Sequence, residues 1–469
     1  MTRLGDSVAR TQQLLTGDLS SDAVVEELLY GTHARRTLDL SDLEPKEQTE
    51  LIASRTVDAL PSVDALQESV AAAAVEGRPL VVKLGIDPTS ADVHFGHAVP
   101  MLILSRFQRM GHHVVLIIGD ITAKIGDPSG RSDERPRLTD EDIARNLATY
   151  RDQVAPFFDF ENADFRHNSE WLVEVRLPEL IEILSQIPVS MSLQREDFRS
   201  RLAAGHGLAM SEFIYSVVMA IDSVRIHADI ELGGVDQLLN MQMGRKVMEI
   251  TGQRPQLVVT MPLIEGTDGT GAKMSKSRGN YIALSATPDD IFGKIMSIPD
   301  RLTEPYLKAW TEWTDDEIRM VTIRLSDGAL HPMDLKRVLA GEAVSAIHGV
   351  PIAMAVRDNF TAQFSRRAFA DVDSMPTVDL ATAGDRTIGD VLAKDLEFTP
   401  SLSAARRIAR QNGLRIVIED QAGEQHTTIL GEAAITGSLA SAVSRTRSSI
   451  GDDGTAYLKV GRKIARIVE

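Results

Sequence analysis

A chain of 469 residues is too long for one hydrophobic core and predicts two or three domains. Its 43% hydrophobic and 25% charged residues suit a globular protein, and without cysteine it can form neither disulfides nor thiolate metal sites. A net charge of −17 excludes a uniformly basic nucleic-acid binder, yet after Ser401 ten basic residues face seven acidic ones, so a tail of about +3 follows a body of about −20. No stretch approaches the roughly 18 apolar residues of a membrane span. The opening MTRLGDSVARTQQ lacks the apolar run of a secretory signal, which predicts a cytoplasmic location.

Residues 1–77 read as acidic helices, a packing or capping extension. From Pro79 the texture changes: LVVKLGID is a β-branched run expected of a buried parallel strand, DPTSADVHFGH is a turn-rich loop, and AVPMLILSRFQRMG has helical apolar spacing. Pro100 belongs in the first turn of that helix, which puts the helix start near His97. HVVLIIGD completes a βαβ unit. Residues 139–210 are mainly helical, an insertion. Then VRIHADIELGGVDQ and PQLVVTMPLI return to strand around the helix LLNMQMGRKVMEIT, and TDGTGAKMSKSRGN is a glycine-rich cationic loop. The expected architecture is a parallel-sheet α/β catalytic domain over residues 78–300. A helical domain (301–370), a Thr/Asp/Gly-rich linker (371–396) and a small α+β domain (397–469) come after it.

Two segments carry chemistry. In His94-Phe95-Gly96-His97, two imidazoles three residues apart share one face at a helix start, where unpaired backbone N–H groups favour phosphate and Gly96 allows a nucleotide to approach. Such histidine pairs are often incidental. Lys273-Met274-Ser275-Lys276-Ser277 offers two ammonium groups and two hydroxyls on a loop freed by Gly266, Gly269 and Gly271, able to fold over a triphosphate. A cationic loop is usually only a solvated one, but it follows HFGH by some 180 residues, directly after a buried strand, in an acidic protein. Between the two, GDITAKIGDPSGR places Asp127 where it can hold an ammonium group, with Arg131 and Arg135 in reach of phosphates. In Gly233-Gly234-Val235-Asp236-Gln237 an acid beside close-approach glycines suits a ribose, or is a simple turn.

HFGH and KMSKS, with GIDPTSADVHFGH, GDPSG and GGVDQ, resemble the class I aminoacyl-tRNA synthetases, the tyrosyl-tRNA synthetase family in particular, over about residues 80–300. SLSAARRIARQNGLRI and YLKVGRKIARIVE resemble the S4-like RNA-binding domain that ends bacterial members. The resemblance implies a Rossmann-like fold, ATP with Mg²⁺ as substrate, L-tyrosine and tRNA as partners, and a homodimer formed through the insertion. It implies that His94, His97, Lys273, Lys276, Arg131 and Arg135 act in catalysis, while Asp87, Thr89, Gly96, Gly234, Asp236, Gln237 and Ser277 hold the nucleotide. Lys83, Gly85, Thr122, Asp127, Tyr215, Met219 and Asp222 then line the amino-acid pocket. Arg406, Arg407, Arg410, Lys459, Arg462 and Lys463 meet RNA, and no resident metal is implied.

Two positions depart from the family. Met219 stands where Tyr-x-x-x-Gln-x-x-Asp has its glutamine, as in tryptophanyl enzymes, and Lys83 stands where many members have a tyrosine, although one bacterial subgroup shares the KLG-D form. Losing an amide removes a contact that orients substrate. A paralogue activating another aromatic or modified amino acid therefore stays open beside tyrosine activation, as does a non-catalytic RNA-binding scaffold, against which the intact motifs argue.

Overall fold

A computed structural model describes residues 2–129, 138–193, 195–364, 375–383, 386–410, 413–419, 425–450, 454–460 and 463–468. The chain forms two compact units, Met1–Arg357 and Asp358–Glu469.

The first unit is built on six strands: β1 (Asp58–Leu60), β2 (Val81–Ile86), β3 (His113–Ile118), β4 (Ala163–His167), β5 (Ile230–Gly234) and β6 (Leu257–Met261). Their order is β1-β6-β5-β2-β3-β4, with β1 antiparallel to β6 and every other pair parallel. VVLII of β3 and all of LVVTM in β6 are buried, as parallel strands covered on both faces require. From β2 the chain steps outward through β3 to β4, then returns to lay β5 and β6 on the other side of β2. That reversal opens a crevice at the carboxyl end of β2, the usual ligand position in such sheets.

The helix joining β2 to β3 is Phe95–Arg109, so Pro100 is its sixth residue and lies past the first turn. The helix tolerates it because the missing N–H deprives only the Gly96 carbonyl of its donor, close to the helix start. The predominantly helical stretch 139–210 also contains β4, whose pairing with β3 makes it the sheet's far edge.

The first 77 residues hold four helices, Arg3–Leu15, Asp22–Arg35, Pro45–Ala53 and Val63–Glu76, and also β1. Three residues are too few to show a strand period, and β1 exists because its edge pairs with β6, Ala59 opposite Val259. The second helix is anchored by Arg35, whose three guanidinium nitrogens all donate: to Ser7, Thr11, the Glu312 carbonyl and both oxygens of Glu317. Arg35 and Glu317 are buried together, which is tolerable only with such complete pairing.

In the second unit β7 (Thr377–Asp379), β8 (Leu414–Glu419), β9 (Gln425–Ile429), β10 (Thr455–Val460) and β11 (Lys463–Val468) run in the order β7-β11-β10-β8-β9. Helices Leu402–Arg410 and Leu439–Ile450 contribute Ala405, Ala409, Leu439, Ala442 and Val443 to a core shared with the sheet. Residues 375–383 and 386–396, within the expected linker, are instead built into this unit. Within that stretch β7 pairs with β11, and Val378, Ala383, Ile388, Val391 and Leu392 are buried in its core. Apolar and polar residues are about equally frequent in the stretch, and the buried apolar ones sit where the core needs them.

Candidate active site

His94 caps the Phe95–Arg109 helix with extended backbone, and its Nδ1 accepts the Gly96 N–H at 3.2 Å. His97 Nδ1 accepts the His94 N–H at 3.3 Å, and the two rings stack 3.8 Å apart. With both Nδ1 atoms accepting, the neutral tautomer carries its proton on Nε2, leaving two N–H donors at the helix start. Burial, then His97 and the two loop lysines, pushes His94 down to about 2. Burial and the same lysines push His97 down to about 4. Both imidazoles are therefore neutral donors at physiological pH.

The KMSKS segment lies against this motif. His94 bridges Ala283, Phe95 N–H donates to the Ile282 carbonyl at 3.0 Å, and a Cβ on Gly96 would meet His94's own ring at 3.0 Å and the Met274 Cβ at 3.9 Å. Lys273 Nζ donates to Asp236 at 2.9 Å, while Lys276 reaches Ser90 and the Asp92 carbonyl. Both ammonium groups thus hold protein acceptors that a polyphosphate can replace. Ser277 Oγ sits 3.1 Å from Ser275 Oγ. Gly269 and Gly271 adopt φ +66° and +83°, values that favour glycine. Arg301 ties the loop at Glu265 and at the Gly269 carbonyl.

At the ends of β2 and β3 lies a connected polar chain. Asp87 accepts from Thr122 Oγ1 at 2.6 Å and Tyr215 Oη at 2.8 Å. Asn168 Nδ2 donates to Thr122 at 3.2 Å and to Asp222 at 3.4 Å, and Trp171 Nε1 donates to the other Asp222 oxygen at 2.8 Å. Burial raises the Asp222 carboxyl to about 7, against the pull of the Lys83 ammonium and the Trp171 and Asn168 hydrogen bonds. Lys83 is itself buried in an ion pair with Glu231, 2.9 Å apart. The chain passes over Gly119, where a Cβ would lie 2.1 Å from both Asp87 Oδ1 and Thr122 Oγ1. Gly85 faces open space, and Thr89 N–H closes a turn on the Asp87 carbonyl.

Asp127 is held by a second network. Its carboxylate accepts from Ser129, from Gln237 Nε2 at 2.8 Å and from Asn240 Nδ2 at 3.3 Å. Arg195, from the insertion, donates to Asn240 Oδ1 and Ser129 Oγ. Asp236 and Gln237 therefore face different partners although adjacent: the first pairs with the KMSKS loop, the second with Asp127. At Gly234 a Cβ would crowd Asp236 Oδ1 at 2.7 Å. Met219 is partly buried on the Met210–Ile226 helix that also carries Tyr215 and Asp222. Arg131, Arg135 and Arg462 lie outside the described residues.

In the second unit Arg406, Arg407 and Arg410 are exposed on the Leu402–Arg410 helix, with Arg410 paired to Glu432 at 2.8 Å. Lys459 stands opposite Arg415 across β10 and β8, and Lys463 lies over the Phe398 ring at 5.4 Å. Among the described residues no group of three or more His, Cys, Asp or Glu side chains is arranged to hold a metal ion, and no helix is long and apolar enough to cross a membrane.

A family profile described as tRNA synthetases class I (W and Y) matches residues 75–365. The tyrosine–tRNA ligase of Thermotoga maritima is 40% identical over 374 residues, 80% of this chain and 90% of that protein. That of Desulfotalea psychrophila is 36% identical over 426 residues, 91% and 98% of the two chains. The chain belongs to the class I tRNA synthetases of the W and Y family. The synthetase fold is shared with a C-terminally truncated mitochondrial tyrosyl-tRNA synthetase of Aspergillus nidulans, with TM-score 0.57 and 21% identity over 68% of this chain and 94% of that one. It is shared also with the Archaeoglobus fulgidus tyrosyl-tRNA synthetase, with TM-score 0.55 and 20% identity over 66% and 100%.

Several residues of this synthetase site carry no sequence signal. Asn168 and Trp171 follow β4, Arg195 lies in the insertion and Asn240 is on the helix after β5; only the fold brings them to Asp222 and Asp127. Glu231 is the exception, since an acid inside the apolar run of β5 asks for a buried partner and finds Lys83.

Proposed function

We propose that this synthetase is a tyrosine–tRNA ligase that activates L-tyrosine with ATP and passes the tyrosyl group to tRNA. The observation that carries the choice of amino acid is Asp222, a buried carboxyl anchored by Trp171 and Asn168. Its carboxyl can accept a phenolic hydrogen bond, which a bare phenyl ring does not offer. The relatives' names agree with this reading.

In the first step a tyrosine carboxylate oxygen attacks the α-phosphorus of ATP, the bond to the β-phosphate oxygen breaks, and pyrophosphate leaves with its Mg²⁺. A terminal ribose hydroxyl of tRNA then takes the tyrosyl group and AMP departs. His94 and His97 donate Nε2–H bonds to phosphate oxygens as charge grows there, and the helix start adds its own N–H groups. Lys273 and Lys276 exchange Asp236, Ser90 and Asp92 for the leaving pyrophosphate, joined by Arg131 and Arg135. Asp87, Thr122, Tyr215 and Asp127, with Gln237, hold the ammonium end of the amino acid and the ribose. Met219 removes one amide from this set, and Asp127 with its four donors takes up the ordering. No covalent enzyme intermediate is required.

Arg406, Arg407, Arg410, Lys459, Arg462 and Lys463 supply positive charge for tRNA. Exposed Val173, Leu177, Ile181, Val189 and Met210, all in or beside the insertion, support a homodimer formed there. Such an enzyme works in the cytoplasm.

ATP–pyrophosphate exchange with tyrosine, tryptophan and phenylalanine in turn, followed by charging of total tRNA, tests the reading. Exchange with tyrosine far above the other two, and charging of tRNA, is the expected result. Exchange confined to tryptophan or to a modified amino acid overturns it.

A further inference from the structure

The Thr303–Trp310 helix carries two aromatic residues four positions apart, and so on one face, whose polar tips reach both signature motifs. Trp310 Nε1 donates to the carbonyl of Phe95, the second residue of HFGH, at 3.2 Å, and the two rings meet edge to face 4.8 Å apart. Tyr306 Oη donates to the carbonyl of Glu265 at 2.7 Å. Glu265 is the root of the KMSKS loop: it bridges Lys273, and its carboxylate accepts the Gly271 N–H at 2.8 Å and both arms of Arg301. The Tyr306 and Trp310 rings lie 4.0 Å apart, and both side chains are fully buried. The helix therefore links two motifs that are some 180 residues apart in sequence.

The helix is fixed in turn from the amino-terminal extension. Arg36, directly after the Asp22–Arg35 helix, donates to the Trp310 carbonyl at 2.7 Å. A cation on the last carbonyls of a helix satisfies groups that have no partner within it. Beside it Arg106 and Arg109, in the last turn of the HFGH helix, share the buried Glu312, at 3.1 and 3.0 Å.

Chemistry of this class depends on donors fixed where charge develops, and an error of about an ångström costs orders of magnitude in rate. Apolar packing alone sets the distance between two elements loosely, while a directional hydrogen bond at each end sets it closely. We propose that Trp310 and Tyr306 are positioning residues for amino-acid activation: they hold HFGH and the root of the KMSKS loop in register, and Arg36 of the amino-terminal extension fixes Trp310. This rests on the activation chemistry proposed above.

The test uses the full-length protein with Trp310→Phe and Tyr306→Phe, which keep the aromatic fill and delete one donor each, and Arg36→Met. Each is assayed for tyrosine affinity by equilibrium dialysis without ATP, for kcat and the KM of ATP in pyrophosphate exchange, and for tryptic cleavage at Lys273. The expected result is a kcat lowered about five- to twentyfold in the two aromatic variants, the worth of one buried hydrogen bond expressed in the transition state. Tyrosine affinity stays within about twofold, and Tyr306→Phe is cleaved faster at Lys273. A kcat within about twofold of the parent in both, or a loss that appears equally in tyrosine affinity, overturns the proposal. Should Trp310→Phe fail to fold, Tyr306→Phe, which loses a single oxygen, decides alone. Should the parent itself show no exchange with any amino acid, the functional reading falls and the brace is judged by cleavage at Lys273: an unchanged rate in Tyr306→Phe overturns it.

Discussion

Asp222 and Gly119 show how much a single residue decides here. Asp222 keeps its proton to a higher pH in the folded protein than in the unfolded chain, from an ordinary 3.8 to about 7. As an acid with a raised pKa it contributes stability that is complete below pH 3.8 and is lost as pH rises through about 7. Asp222→Asn removes that loss and replaces the proposed charged acceptor of the phenol with a neutral amide. The variant should melt no lower than the parent at pH 8 in calorimetry, while tyrosine-dependent exchange falls about 10- to 100-fold, the cost of deleting a charged hydrogen-bond partner. Gly119 has no side chain because the Asp87–Thr122 hydrogen bond occupies its place. Gly119→Ala should pull those two side chains apart and lower exchange activity at least about tenfold, with circular dichroism unchanged; activity equal to the parent's would show that the pair is dispensable.

At the scale of elements, the HFGH helix begins with two buried neutral histidines. Each has an ordinary pKa of 6.5 when unfolded but about 2 for His94 and about 4 for His97 when folded, and His112, just beyond the helix end, is likewise held at about 4 by burial. Below pH 6.5 the unfolded chain binds more protons, so stability falls as pH drops from 6.5 through 4. In proton NMR these three imidazoles should show no titration between pH 5 and 8; a midpoint near 6.5 for His94 or His97 would contradict the neutral-donor assignment. The amino-terminal helices depend on an ion pair instead. Arg35→Ala leaves Glu317 buried without its partner and should cost about 3–5 kcal/mol, measured by urea denaturation.

At the scale of the whole molecule, the two signature motifs and the basic residues proposed to meet tRNA belong to different units with separate cores. A chain stopped after Phe364 keeps the entire crevice and both motifs. Such a chain should retain pyrophosphate exchange within about threefold and lose tRNA charging, both measurable on one preparation. Loss of exchange on removal of the second unit would mean that activation needs both.

The reaction was legible in the sequence because its groups sit in short runs. HFGH is a cap, a glycine and a helix start within four residues, and KMSKS lies on the glycine-rich loop that follows β6, so local sequence already groups the donors. Apart from β4, the alternating strands and helices of residues 80–261 were legible for the same reason, since β-branched runs and helical spacing are local signals. Only the tertiary structure decided what those groups touch. Asn168, Trp171, Arg195 and Asn240 belong to elements far apart along the chain, and β1 and β7 are three-residue strands that exist by pairing alone. The resting partners of Lys273 and Lys276, the neutrality of the histidines and the raised Asp222 likewise come from burial and from charges contributed by other segments. Hydrogen bonding and desolvation act between elements at distances of about 3 Å, and no spacing within one element encodes them.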